Sequence, residues 1–212
     1  MHATLTAPSA RRNRDRAASA SGIAGLAGCA VVIMADLTTA AIYERLGLFA
    51  DTISAMAAGR GAMIMDTALL ILVAGIVAIA FGLWRQRRPG WRWPAAIVAL
   101  LAVAGIIAAI ALFNEYGDGD IRDSWTFHYR LVYALGATFT LVPLLTARDL
   151  KPVDQRLWLG SYALAAAWFV AGPLMFTVPT GWDGLFERVA AGIMLLWLVG
   201  ASIFLIRQPG GR

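Results

Sequence analysis

The sequence predicts an all-α polytopic membrane protein, a bundle of six transmembrane helices. Three observations lead there. Of 212 residues, 59% are hydrophobic and only 15% charged, with mean hydropathy +0.68, whereas a soluble domain carries about 25% charged residues. The apolar residues collect in six runs, each near the ~20 residues that cross a hydrocarbon core of ~30 Å. The runs are continuously apolar rather than alternating, which excludes a β-barrel. Backbone groups in lipid must then be bonded within each segment, and a helix does that.

The first run spans 21–43 and follows an Ala/Ser/Arg-rich segment, 1–20, expected to be a disordered cytoplasmic tail. The run is too long for the 7–15-residue apolar region of a signal peptide, so it is expected to stay as a span. Its start, "SGIAGLAG", spaces small residues as Ser21/Gly25 and Ala24/Gly28. That spacing permits close helix approach, and packing inside the bundle is expected ahead of a dimer face. The second run covers 62–84 and the third 94–113. Pro94 opens the third, where a missing N–H costs nothing. The fourth run, 125–147, contains Pro143, and the fifth, 157–178, contains Gly172-Pro173. Each proline frees a carbonyl and is expected to kink its helix or draw on a neighbour. The sixth run covers 185–206 and leaves a short tail, 207–212.

Charge sets the orientation. One side collects Arg11, Arg12, Arg14, Arg16, Arg85, Arg87, Arg88, Arg92, Arg148, Lys151, Arg156, Arg207 and Arg212, against Arg45, Arg60, Arg122, Arg130 and Arg188 on the other. The richer side is expected to be cytoplasmic, which puts both termini in the cytoplasm of a multi-pass inner (plasma) membrane protein. Interface aromatics fit this: Trp84, Trp91, Trp93 and Trp158 on the cytoplasmic side, Tyr43, Tyr116, Trp125 and Trp182 on the outer. The net charge of +5 is accounted for by these flanks. No basic face carries stacking aromatics, so nucleic acid is not an expected partner. Membrane lipids are, together with another membrane protein or a second copy of the chain. Cys29 is the single cysteine, which excludes an intrachain disulfide and a cysteine-based zinc site.

Two acids lie inside apolar runs, Asp36 and Asp66. A charge at mid-membrane costs about 2.5–3.5 kcal/mol on insertion scales, so both are expected to face the bundle interior with partners. Candidates at the same, outer level are Ser54, Asn114, Glu115, His128, Arg130, Glu187 and Arg188. The cytoplasmic half is nearly all Ala, Leu, Ile, Val and Gly. Any site is therefore expected to open outward. The first expectation for these residues is a structural network, then a ligand or lipid-headgroup pocket, then catalysis. A Ser-His-Asp arrangement of Ser54, His128 and Asp36 is conceivable, but no nucleophile-elbow motif accompanies it. Catalytic zinc uses several His or Cys ligands, and with His2 in the expected tail only His128 is available. No cofactor motif is present. "GDGD" (117–120) lacks the closing Glu of a calcium loop and reads as a solvated turn.

"DTISAMAAG" (51–59), His128 at the start of the fourth run and "GLFERVAAGIMLLWLVG" (184–200) together resemble the family of bacterial membrane proteins catalogued as domain of unknown function 998, DUF998. The resemblance covers about 21–206. It implies six spans and no assigned activity, and it marks Ser54, His128, Glu187 and Arg188 as positions matching the recurring motifs. In that family an acid often follows the "IS" pair, where this chain has Ala55. The expected role is a non-enzymatic scaffold, partner subunit or lipid-binding module. The alternatives are a lipid-modifying enzyme at the outer leaflet and a small proton-coupled transporter using Asp36 or Asp66.

Overall fold

The computed structural model describes residues 8–42, 47–58, 60–113, 121–175, 177, 179 and 181–207, with the backbone alone for 8–15, 121–126 and 175. Among these, all regular structure is helical: α1 (Pro8–Ile42), α2 (Ile53–Ala58), α3 (Ala62–Arg85), α4 (Arg92–Leu112), α5 (Ile121–Leu150), α6 (Gln155–Met175) and α7 (Asp183–Arg207). All but the short α2 are long and apolar enough to cross a membrane. The chain is a multi-pass bundle of six such helices.

Helices neighbouring in sequence pack together from α3 to α7, α1 lies against α3, and α7 returns to α1, so the six close into a ring. α3 also meets α7 across the middle. One face of the bundle carries the starts of α1 and α7's end, with the 86–91 and 151–154 turns; this is the termini face. The opposite face carries 47–61 and the 177–182 connection; this is the loop face. The core is aliphatic, with Trp197 and Phe139 buried at its centre and their rings 6.4 Å apart, edge to face.

α1 begins at Pro8 rather than near residue 21, so much of the expected tail continues the first helix. Its Ala and Arg are strong helix formers, and Ala18 is buried. Of the small residues that follow, Ser21, Gly25 and Gly28 are buried in the bundle and Ala24 is exposed. A Cβ on Gly25 would meet Ser202 Oγ of α7 and Ile79 of α3, and one on Gly28 would lie 3.2 Å from the Ile71 carbonyl oxygen and Leu72 Cα. Close approach of α1 to α3 and α7 requires glycine there.

At the termini face, Arg88 donates to the Asp149 carbonyl at 2.9 Å and lies over the rings of Trp93 (5.0 Å) and Phe204 (5.9 Å). It thereby clips the α3–α4 turn to α5 and α7. Burial lowers the pKa of this guanidinium from its usual value, and Asp149 opposes the change. Trp93 departs from its expected place at the lipid boundary. It is buried and donates from Nε1 to the Leu83 carbonyl at 2.9 Å, because Pro94 and the tight turn at Gly90 (φ +94°) fold α4 back against the end of α3. Trp84, Trp91 and Trp182 stay exposed.

Candidate functional site

The polar residues of the loop face form two separate groups, and α7 makes the division. Glu187 and Arg188 are adjacent, so their side chains leave the helix about 100° apart.

Arg188 turns toward α1. Its Nε and Nη2 donate to the Asp36 carboxylate at 2.9 and 2.8 Å, a two-pronged pair with side chains 15% and 14% exposed. Nη1 shares its protons among the carbonyls of Leu48 (2.8 Å), Asp51 (2.7 Å) and Gly184 (3.0 Å), and Nη2 also reaches Met56 Sδ at 3.4 Å. The 48–51 segment lies so close to α7 that a Cβ on Gly184 would strike the backbone of Asp51 and Phe49, and the Leu185 N–H donates to the Phe49 carbonyl at 2.9 Å. The planar guanidinium suits this many-sided role. Asp36 is thus held by Arg188, and the conceivable Ser54–His128–Asp36 arrangement does not form.

Glu187 turns the other way. Its Oε2 accepts the Ile53 N–H and its Oε1 accepts the Ser54 hydroxyl at 3.0 Å. Together with the Thr52 hydroxyl, which accepts the Ala55 N–H at 2.9 Å, it satisfies donors that the start of a helix leaves without intrahelical partners. Ser54 Oγ lies 3.1 Å from His128 Nε2, and His128 Nδ1 lies 3.4 Å from the Phe113 carbonyl oxygen. A polar chain therefore runs from α7 through α2 to α5 and the end of α4. His128 is buried, 4% exposed.

Below this chain lies a cavity of about 460 Å³, within the ~300–1,000 Å³ range of small-molecule pockets. Ser54, His128 and Glu187 are at its polar end, and nearly all the remaining lining is apolar. On α5 the lining follows one face through Val132, Gly136 and Thr140; on α7 it follows Ala190, Ala191 and Met194. From His128 to Leu141, thirteen residues on, α5 rises about 20 Å, comparable to one leaflet's ~15 Å share of the hydrocarbon core. The wall between α5 and α6 reaches the surface of the bundle: Tyr133, Leu141 and Phe169 line the cavity and are 57%, 50% and 71% exposed. Trp168 braces that wall, donating from Nε1 to the Gly136 carbonyl at 3.0 Å.

The other expected members lie apart. Arg130 is exposed, two residues past His128 and so on another face of α5. Asp66 sits on α3 and does not line the cavity. Asn114, Glu115 and the 117–120 turn are outside the described residues. Among the described residues, no group of three His, Cys, Asp or Glu is placed to hold a metal ion. A ligand or lipid-headgroup pocket was the second expectation for these residues, but the cavity's apolar lining on α5, α6 and α7 was not among the expected positions. Its signal was the small residues Gly136, Gly172, Ala190 and Ala191 on three helices that face one another.

Residues 26–203 match the family described as "Protein of unknown function (DUF998)". The chain belongs to that family. The matched stretch takes in all six spans apart from the first part of α1 and the last residues of α7, and with them both polar groups and the cavity. No curated protein and no solved structure matches the chain. Membership in DUF998 brings membrane helices and no assigned chemistry, so function has to be argued from the site.

Proposed function

We propose that this DUF998 protein is a lipid-binding module of the bacterial inner membrane, with both termini in the cytoplasm and the loop face at the outer leaflet. The orientation rests on the arginine-rich termini face. The observation that carries the binding role is the apolar cavity, about one leaflet deep and open sideways between α5 and α6, with Ser54, His128 and Glu187 at its loop-face end. A water-soluble ligand would meet mostly hydrocarbon there. A single acyl tail entering from the outer leaflet fits the lining, the depth and the lateral opening, and leaves its ester region beside the polar chain. The Asp36–Arg188 group then has a structural part, fastening the 48–51 segment and α2 over the cavity. A proton-coupled transporter is less well supported: Asp36, Asp66 and Glu187 lie in the loop half of their spans and Asp149 at the termini-face end of α5, so among the described residues no acid marks a path through the middle of the bundle.

The test is photocrosslinking in vesicles with a phospholipid carrying a diazirine on one acyl chain. Crosslinks at the cavity-lining segments of α5, α6 and α7, such as the peptide holding Phe169, are expected. Crosslinks spread evenly over the lipid-exposed faces of all six spans would refute the pocket. A C-terminal reporter active only outside the cytoplasm would refute the orientation.

A further inference from the structure

We infer that Ser54 and His128 are a nucleophile–base pair that cleaves the ester bond of a lipid whose tail lies in the cavity. The inference rests on the tail-binding reading above and names the chemistry of the same site. Three features carry it. The serine oxygen and the imidazole Nε2 are 3.1 Å apart, inside the ~2.6–3.2 Å expected of a nucleophile and its base. The base is oriented by a third group, since Nδ1 faces the Phe113 carbonyl at 3.4 Å. A proton on Nδ1 suits that carbonyl and leaves the Nε2 lone pair toward Ser54. Both side chains line the loop-face end of the cavity, which the orientation proposed above sets where an outer-leaflet lipid's tail joins its headgroup.

A purely structural serine and histidine would need no cavity beneath them. The third group is a backbone carbonyl, not Asp36, whose carboxylate is held by Arg188. Glu187 fixes the start of α2 through the Ile53 amide and also accepts the Ser54 hydroxyl. The serine proton thus has two acceptors, and rotation about the Cβ–Oγ bond turns it from Glu187 to His128.

Water is the only co-reactant. Ser54 Oγ bonds to the ester carbonyl carbon as its proton passes to His128 Nε2. The carbon–alkoxy bond breaks, the leaving alcohol takes that proton, and the acyl group stays on Ser54. Water then attacks the acyl carbon and gives a proton to Nε2. Ser54 Oγ departs and recovers a proton, and a fatty acid is released. The apolar tail site sets the substrate class, a long-chain ester over a short one.

The experiment uses full-length protein in nanodiscs, treated with a long-chain alkyl fluorophosphonate. The adduct is located by peptide mass spectrometry, and fatty acid release is followed from a long-chain umbelliferyl ester. We expect an adduct at Ser54, none in Ser54→Ala, and labelling slowed about 10²–10⁴-fold in His128→Gln. Both variants should still melt cooperatively, within a few degrees of wild type, and retain co-purified lipid, which separates lost chemistry from lost fold. Lipid retained by wild type with neither adduct nor ester release overturns the chemistry and leaves tail binding standing. Absence of lipid, adduct and release overturns both readings. Equal labelling in wild type and a folded His128→Gln overturns the pairing.

Discussion

Arg188→Ala tests how the loop face is held. The guanidinium makes six donor contacts, to Asp36, to the carbonyls of Leu48, Asp51 and Gly184, and to Met56 Sδ. Hydrogen bonds measured between membrane helices average about 0.6 kcal/mol each; with that value taken for all six contacts, one of them within α7 and two to the 48–51 segment, the upper sum is about 3–4 kcal/mol. Breaking a buried ion pair by deleting one partner costs about 3–5 kcal/mol. The side chains are 15% and 14% exposed, which favours the lower end of that range. A loss of about 3 kcal/mol lowers Tm by about 6–12 °C in a chain of this size. Cys29 is the single cysteine and is buried in α1, so a thiol-reactive dye reports its exposure on heating in detergent. Asp36→Ala should cost a similar amount. The double variant Asp36→Ala/Arg188→Ala should cost clearly less than the sum, because no unpaired charge is left behind. A shift under about 2 °C for Arg188→Ala, or full additivity in the double variant, would refute the staple.

Further outcomes follow from particular contacts. Gly25→Val drives a side chain into Ser202 and Ile79 and should abolish a cooperative melt, whereas Gly105→Ala, with nothing within 4 Å of the added Cβ, should keep Tm or raise it by about 2–4 °C, since helix propensity favours alanine by about 1 kcal/mol. Arg88→Gln removes cation–π contacts with Trp93 and Phe204, each worth about 0.5–2 kcal/mol, and should lower Tm by several degrees in the same dye assay. Glu187→Ala removes the acceptor of the Ile53 amide and the Ser54 hydroxyl and should speed proteolysis within 47–61 before the bundle itself melts.

The spans were legible because the bilayer imposes a length and a composition that a sequence cannot hide. The gathering of polar residues in the loop half was legible for the same reason: charges inside apolar runs stand out. Their grouping was not. Asp36 had several arginines at its level, and its pairing with Arg188 depends on how α7 closes against α1, which no local pattern records. Glu187 and Arg188 look like one charged dipeptide in sequence. Only the 100° turn between them sends one to α2 and the other to α1. Trp93 looks like its neighbours Trp84 and Trp91 until the turn at Gly90 buries it. The cavity is a matter of absent volume, set by glycines and alanines on helices that are distant in sequence. The same residues in another register would simply pack.

The cavity is the centre of the account, and Gly136 gives direct access to it. The residue lines the cavity, and an added Cβ would sit in ordinary contact, 3.8 Å from Trp168 Nε1. Gly136→Leu therefore extends into the empty space without disturbing the backbone, and helix propensity favours it by about 1 kcal/mol. Native mass spectrometry of purified protein counts tightly held lipids in wild type and in this variant. The account predicts one lipid retained by wild type and lost from Gly136→Leu, with a melting temperature at least as high. Equal lipid retention in both proteins, with the variant folded, would contradict it.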